Sequence, residues 1–161
     1  MSKIQCPARD VLIEEEQCRR EQLSGAEACL ACAKYYRKLP TFLLAQRLLE
    51  EEGMTGELEY HVDGDFFSWK FHDALSLTVT TGEHGYGYIE VNESFPMKPY
   101  AEEMFGVLSA IGRGETVFVT KIGLAGRYIE SVYPLETYRT KRKKIRFGIG
   151  TRAYTAKGEI E

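Results

Sequence analysis

The sequence predicts an α+β fold: an N-terminal helical, cysteine-rich segment, then a mainly antiparallel sheet covered by one helix. Three observations carry this. All four cysteines, Cys6, Cys18, Cys29 and Cys32, fall within the first 32 residues. The middle of the chain alternates apolar and polar residues with period two, punctuated by short turn signals. One strongly apolar stripe at helical spacing follows those strands, and further strands follow it. Short hairpin connections exclude a doubly wound parallel sheet, which needs long crossovers. A sheet curling into a partly closed barrel is the variant that the same pattern allows.

These signals divide the 161 residues into a four-cysteine metal-binding segment (1–39), a linking helix (40–53) and an α+β domain (54–161) ending in a basic stretch. In the first segment, Cys29 and Cys32 lie in the run AEACLACAKYY, whose alanines favour a helix. Pro40-Thr41 opens the linking helix. Phe42, Ala45, Leu48 and Leu49 share one face, Gln46, Arg47 and Glu50 lie outside it, and Gly53 stops it.

The domain begins with two hairpins. Leu58, Tyr60 and Val62 alternate with Glu57, Glu59 and His61. Asp63-Gly64 then fits a two-residue type I′ turn, pairing Tyr60 with Phe67, Leu58 with Trp69 and Glu57 with Lys70. In the second hairpin a three-residue loop, with Gly85 in the left-handed region, pairs Val79 with Ile89 and Leu77 with Val91. Tyr86 and Tyr88 then share the second face with Thr78 and Thr80. Residues 97–111 read as a helix with Tyr100, Met104, Val107, Leu108 and Ile111 on one stripe, Pro99 in its first turn and Gly112 at its stop. Strands are expected at 116–121, 127–133 and 145–155.

The cysteine spacing is Cys-x11-Cys-x10-Cys-x2-Cys. Four thiolates complete the tetrahedral shell of a structural zinc ion, with an iron–sulfur cluster as the alternative. Two disulfides and unligated core thiols are the remaining readings. Arg19 and Arg20 beside Cys18 favour its thiolate, the form a metal needs. Four thiolates leave no open position for water, so a zinc ion here is a staple and not a catalyst. The N-terminus lacks the apolar run of a signal peptide, and no window approaches the roughly 18 apolar residues of a membrane span. The expectation is a cytoplasmic protein with no membrane partner, where reducing conditions disfavour disulfides.

His61, Asp63, Asp65, His72, Asp73, Glu83 and His84 fall within 24 residues. Such a set can bind a metal or transfer protons. Turn chemistry accounts for Asp63 and Asp65 without a site, and His61 and His72 fall at opposite ends of the first hairpin. Gly85-Tyr86-Gly87 and Gly148-Ile149-Gly150 do not extend into a phosphate loop. No nucleophile-elbow pattern occurs.

The net charge of −3 conceals an uneven distribution. Residues 1–53 carry −1, residues 54–138 carry −8 and residues 139–161 carry +6. Arg139, Lys141, Arg142, Lys143, Lys144 and Arg146 place six cations in eight residues, followed by Arg152 and Lys157. On a strand or loop, with Phe147 and Tyr154 nearby, they suit phosphate contacts and base stacking. Tyr86, Tyr88, Phe66 and Lys70 extend that surface if they share its face. The plain alternative is a solvated charge run, or one docked on the acidic middle. The reading is a non-enzymatic nucleic-acid-binding or regulatory protein, DNA or RNA. Its rivals are a protein-assembly module, an iron–sulfur redox sensor and a small enzyme using His61 and His72.

Overall fold

The computed structural model describes residues 3–6, 9–23, 40–53, 55–61, 66–81, 85–145 and 148–161. Cys29 and Cys32, the Asp63-Gly64 turn, Glu83, His84, Arg146 and Phe147 lie outside them.

The start of the chain corrects the expected helical cysteine segment. It is a β-hairpin, β1 (Lys3–Cys6) and β2 (Val11–Glu14), pairing Ile4 with Ile13 and Cys6 with Val11. Isoleucine and valine suit a pleated ladder. The amides of Arg9 and Asp10 donate to the Cys6 carbonyl, and Asp10 takes a left-handed φ of 53° that aspartate tolerates in turns. Only then comes α1 (Glu15–Leu23). Its Glu21 pairs with Arg9 at 2.9 Å, fastening the helix to the hairpin.

The linking helix α2 (Pro40–Glu52) buries Phe42, Ala45 and Leu48 on the expected face. It covers a five-stranded antiparallel meander: β3 (Glu57–His61), β4 (Phe66–His72), β5 (Leu75–Thr81), β6 (Gly87–Val91) and β7 (Phe95–Met97). Both expected hairpin registers hold: Leu58 pairs with Trp69 and Tyr60 with Phe67, then Val79 with Ile89 and Leu77 with Val91. Gly85 has a φ of 81°, the left-handed turn position assigned to it.

The expected helix over 97–111 is shorter. Residues Phe95–Met97 form β7, a 3₁₀ turn spans Ala101–Glu103, and α3 covers Met104–Gly112. Tyr100 sits outside the helix, half exposed and stacked on Tyr86. Met104, Leu108 and Ile111 are buried as expected. Trp69 lies directly over Gly112, where an added Cβ would fall 2.6 Å from the indole, so this close approach requires glycine.

The second large sheet has the order β11-β10-β8-β9, from β8 (Thr116–Gly123), β9 (Gly126–Pro134), β10 (Arg152–Thr155) and β11 (Gly158–Ile160). β8 is covered on both faces, so Val117, Phe118 and Val119 are all buried without alternation. Phe118 and Ile129 join the main core with the five-stranded sheet, α2 and α3. Val117, Val119 and Ala153 face the other way and pack against α4 (Leu135–Ile145). The single-sheet, one-helix expectation is therefore corrected to three antiparallel sheets among the described residues, none closed, with helices on several faces. In neither large sheet do the two edge strands pair with each other, so no barrel forms. Among the described residues no helix is long and apolar enough to cross a membrane.

Candidate nucleic-acid interface

The basic run begins as α4, a helix where a strand or loop was expected. Leu135 opens it, its amide donating to the Glu115 carbonyl at 2.8 Å. Leu135, Tyr138 and Ile145 form the inner stripe, with Tyr138 buried against Val117, Val119 and Ala153. Glu136 in the first turn and Arg142, Lys143 and Lys144 in the last turn both favour the helix dipole. That gives part of the charge run a purely local reason.

Helical geometry redistributes the cations. Consecutive residues project about 100° apart, so Lys141 to Lys144 cannot all address one surface. Lys141 and Lys144 line an open concavity of about 630 Å³ with Ile145, Lys121, Glu130, Ser131 and Tyr133. Arg139 reaches another concavity, about 680 Å³ and mainly apolar, between α3 and the start of α4. Arg139, Lys141, Arg142, Lys143 and Lys144 are all exposed.

None of these five forms an ion pair among the described residues, whereas Arg9, Arg20, Arg47, Lys70, Arg113, Lys121 and Arg152 each face a carboxylate. Docking of the basic segment on the acidic middle is thus not seen there. Lys121 bonds Glu130, and that carboxylate, with smaller help from Tyr128 and Tyr133, holds its ammonium above the ordinary lysine value. Tyr128 lies directly opposite Lys121 in the β8–β9 ladder and is half exposed. Tyr133 and Lys121 therefore put an aromatic ring and a cation beside α4, with Tyr128 across the ladder from Lys121.

Two expected members stand apart. Arg152 lies on β10, beside Glu159 at 3.8 Å, and its hydrogen bond with Tyr154 is the main cause that holds it above the usual arginine value. Lys157 sits in the β10–β11 turn against Gly114, alongside Arg113 and Trp69. The expected stacking role of Tyr154 fails because its ring is buried. On the five-stranded sheet, Tyr88 donates to Glu90, Phe66 stacks on His61 and Lys70 pairs with Asp73, so these do not extend the α4 face. Lys121 and Tyr133 were missed, although the period-two series Val117, Val119, Lys121 was visible in the sequence.

Both described histidines have hydrogen-bond partners within the fold. His61 bonds Ser68 Oγ at 3.0 Å beneath the Phe66 ring. His72 Nδ1 accepts from the Ala74 amide, which leaves Nε2 to donate to the Thr155 carbonyl at 2.8 Å. That bond ties the two large sheets together. His61 faces the first residue of β4 and His72 is its last, so they share no site. Lys70 holds the Asp73 carboxyl below its ordinary range by a hydrogen bond and its charge. A polar concavity of about 520 Å³ between the sheets is likewise committed internally: Arg127 donates to Thr120 and the Gly150 carbonyl, and Asn92 bridges Ser76 and Ala74.

Of the proposed metal ligands, Cys6 ends β1 and Cys18 lies within α1, and both are buried in the core beside Ile13. Arg20, expected to favour the Cys18 thiolate, pairs with Glu16 at 3.2 Å. Two thiols supply half of a tetrahedral shell, and burial suits a closed structural site as well as ordinary packing. No protein-family model matches the chain, and no curated protein or solved structure matches it either.

Proposed function

We propose that this chain is a non-enzymatic nucleic-acid-binding protein that holds phosphates on α4. The carrying observation is the set of five exposed cations on α4, without carboxylate partners among the described residues, of which Lys141 and Lys144 lie beside Lys121 and Tyr133. Cations left unneutralised by the fold are the ones available to displace counterions from a polyanion. Aromatic rings next to them offer stacking without demanding a particular base. In this reading Cys6, Cys18, Cys29 and Cys32 hold one structural zinc ion that fastens the N-terminal segment, in a cytoplasmic setting that keeps thiols reduced.

Fluorescence anisotropy with labelled DNA and RNA across a salt series tests the interface. Log affinity falls linearly with log salt, and replacing Lys141, Arg142, Lys143 and Lys144 together by Ala lowers that slope by about 2–3, each lost phosphate contact accounting for roughly 0.7–0.9. Folded stability of the variant stays within about 0.5 kcal/mol, since these are exposed positions. Wild-type protein that binds no nucleic acid at low salt, or a variant that binds unchanged, removes the reading. Metal analysis of the purified chain tests the staple separately, with about one zinc expected per chain. A brown chromophore assigns the cysteines to a cluster instead.

A further inference from the structure

A cavity of about 210 Å³ lies where α2 and α3 end, lined by Glu52, Trp69, Ser109, Gly112, Arg113 and Lys157. It shares no residue with α4, so it stands independently of the nucleic-acid interface. Ser109 and Gly112 are three apart and share one face of α3, and the indole of Trp69 lies on that face at Gly112. Ser109 is 2% exposed, and its hydroxyl has no hydrogen-bond partner among the described residues. A helical serine can bond the carbonyl one turn back, and this one does not. A buried hydroxyl left unpaired destabilises the fold, and alanine is the better helix former. The cavity holds about seven water-sized groups at roughly 30 Å³ each, far more than one bridging water needs.

The charges around the cavity decide what fits it. Arg113 is already committed: its Nε and Nη2 donate to the two oxygens of Glu115 at 3.0 and 3.2 Å, and its Nη1 donates to both oxygens of Glu52 at 3.1 Å. Glu52, the one carboxylate among the described lining residues, is thereby neutralised. Lys157 is not committed. Its stem lies along Gly114, and its ammonium has no ion pair among the described residues. The Arg113 hydrogen bond holds the Glu115 carboxyl below its ordinary range, and the Lys157 charge adds to this only through space. The lining thus offers two donors without acceptors, an ammonium and a buried hydroxyl, beside an indole wall. An oxyanion accepts from both, and the ring leaves room for a carbon body.

We propose that this cavity binds a small organic carboxylate, whose oxygens accept from Lys157 Nζ and Ser109 Oγ and whose carbon body lies against Trp69.

The test titrates the full-length protein with pentanoate. Pentanamide serves as its neutral counterpart, pentylammonium as the opposite charge and inorganic phosphate as an anion without a carbon body. Trp69 is the single tryptophan of the chain, so its fluorescence reports occupancy. Pentanoate binds with a Kd of about 1 mM or tighter, the range open to so small a ligand. Pentanamide binds at least about 10-fold more weakly, since it lacks the charge that Lys157 meets. Ser109→Ala and Lys157→Met each weaken pentanoate about 10-fold, because each removes a hydrogen bond to a charged group. Lys157→Met also brings pentanoate and pentanamide to within about 3-fold of each other. Neither substitution lowers the melting temperature: Lys157 is exposed and methionine keeps an apolar stem on Gly114, and Ser109 gives up no bond. Absence of saturable pentanoate binding, equal binding of pentanamide, or tighter binding of pentylammonium or phosphate overturns the proposal. Variants that bind pentanoate as wild type does overturn it too. So does a Ser109→Ala protein that melts lower without ligand, because the hydroxyl then has a bond inside the fold.

Discussion

The five-stranded sheet packs Tyr60, Phe67, Trp69, Leu75, Leu77 and Val79 with α2 and α3, whereas the outer face of the four-stranded sheet offers α4 the buried Val117, Val119 and Ala153, with Tyr133 and Ile160 partly buried beside them. A helix that must match a large apolar surface gives up much of its circumference to it, as α2 does with Phe42, Ala45 and Leu48. A helix held by a narrow stripe keeps the rest free. In α4 only Tyr138 is fully buried, and every other turn can carry charge. Stability and chemistry are thereby assigned to different sheets. The cations cost the core nothing, because they never approach it.

Three substitutions probe that division. The largest loss is expected for Trp69→Ala, which empties the space above Gly112 and removes the indole hydrogen bond to the Thr55 carbonyl. The cost is about 3–5 kcal/mol, read from urea unfolding. Both large sheets fall in one transition, since Phe118 and Ile129 belong to the same cluster as Trp69. Separate transitions would show that the sheets are independent units.

Tyr138→Ala comes next, at about 3 kcal/mol. It strikes the narrow attachment of α4, so helical circular dichroism and polyanion binding fall together while the near-ultraviolet signal of Trp69 persists. Retained binding in this variant would move the interface off the helix. His72→Ala is the smallest, at about 1–2 kcal/mol, because it leaves the buried Thr155 carbonyl without the imidazole donor. Hydrogen exchange then speeds at β10 and β11 and not at β3 to β5; uniform change across the chain would show that the bond is not a local joint.

The five-stranded sheet was the legible part of the fold. Its hairpins declare themselves through strict alternation, and a one-residue slip would set Leu77 against Glu90, so the registers followed directly. The second sheet was hidden because β8 is buried on both sides and shows no alternation. Helix α4 was obscured by its own charge. Leu135, Tyr138 and Ile145 mark a face only once Pro134 and Gly148 are taken as its bounds, and lysine and arginine are good helix formers that an eye for strands passes over. The N-terminal hairpin was lost to the cysteines, whose spacing drew attention from the alternating Ile4, Cys6 and Val11, Ile13. In the candidate site, the α4 cations were foreseen and their sheet partners were not. Lys121 lies 18 residues before Arg139 and Tyr133 sits at the end of the preceding strand, so their place beside the basic run is set by the fold.

Open sheets carry a hazard that a barrel escapes: unpaired strand margins that invite another chain to add a strand. Here each margin of the two large sheets is blunted differently. β3 bears Glu57 and Glu59, β7 has only three residues and contains Pro96, β11 has only three residues, and β9 is bent by a bulge near Glu130 and ends at Pro134. Strand addition to the native protein is thus discouraged at all four. Heating a concentrated solution should therefore produce aggregates at the pace of unfolding, not by templating on folded molecules.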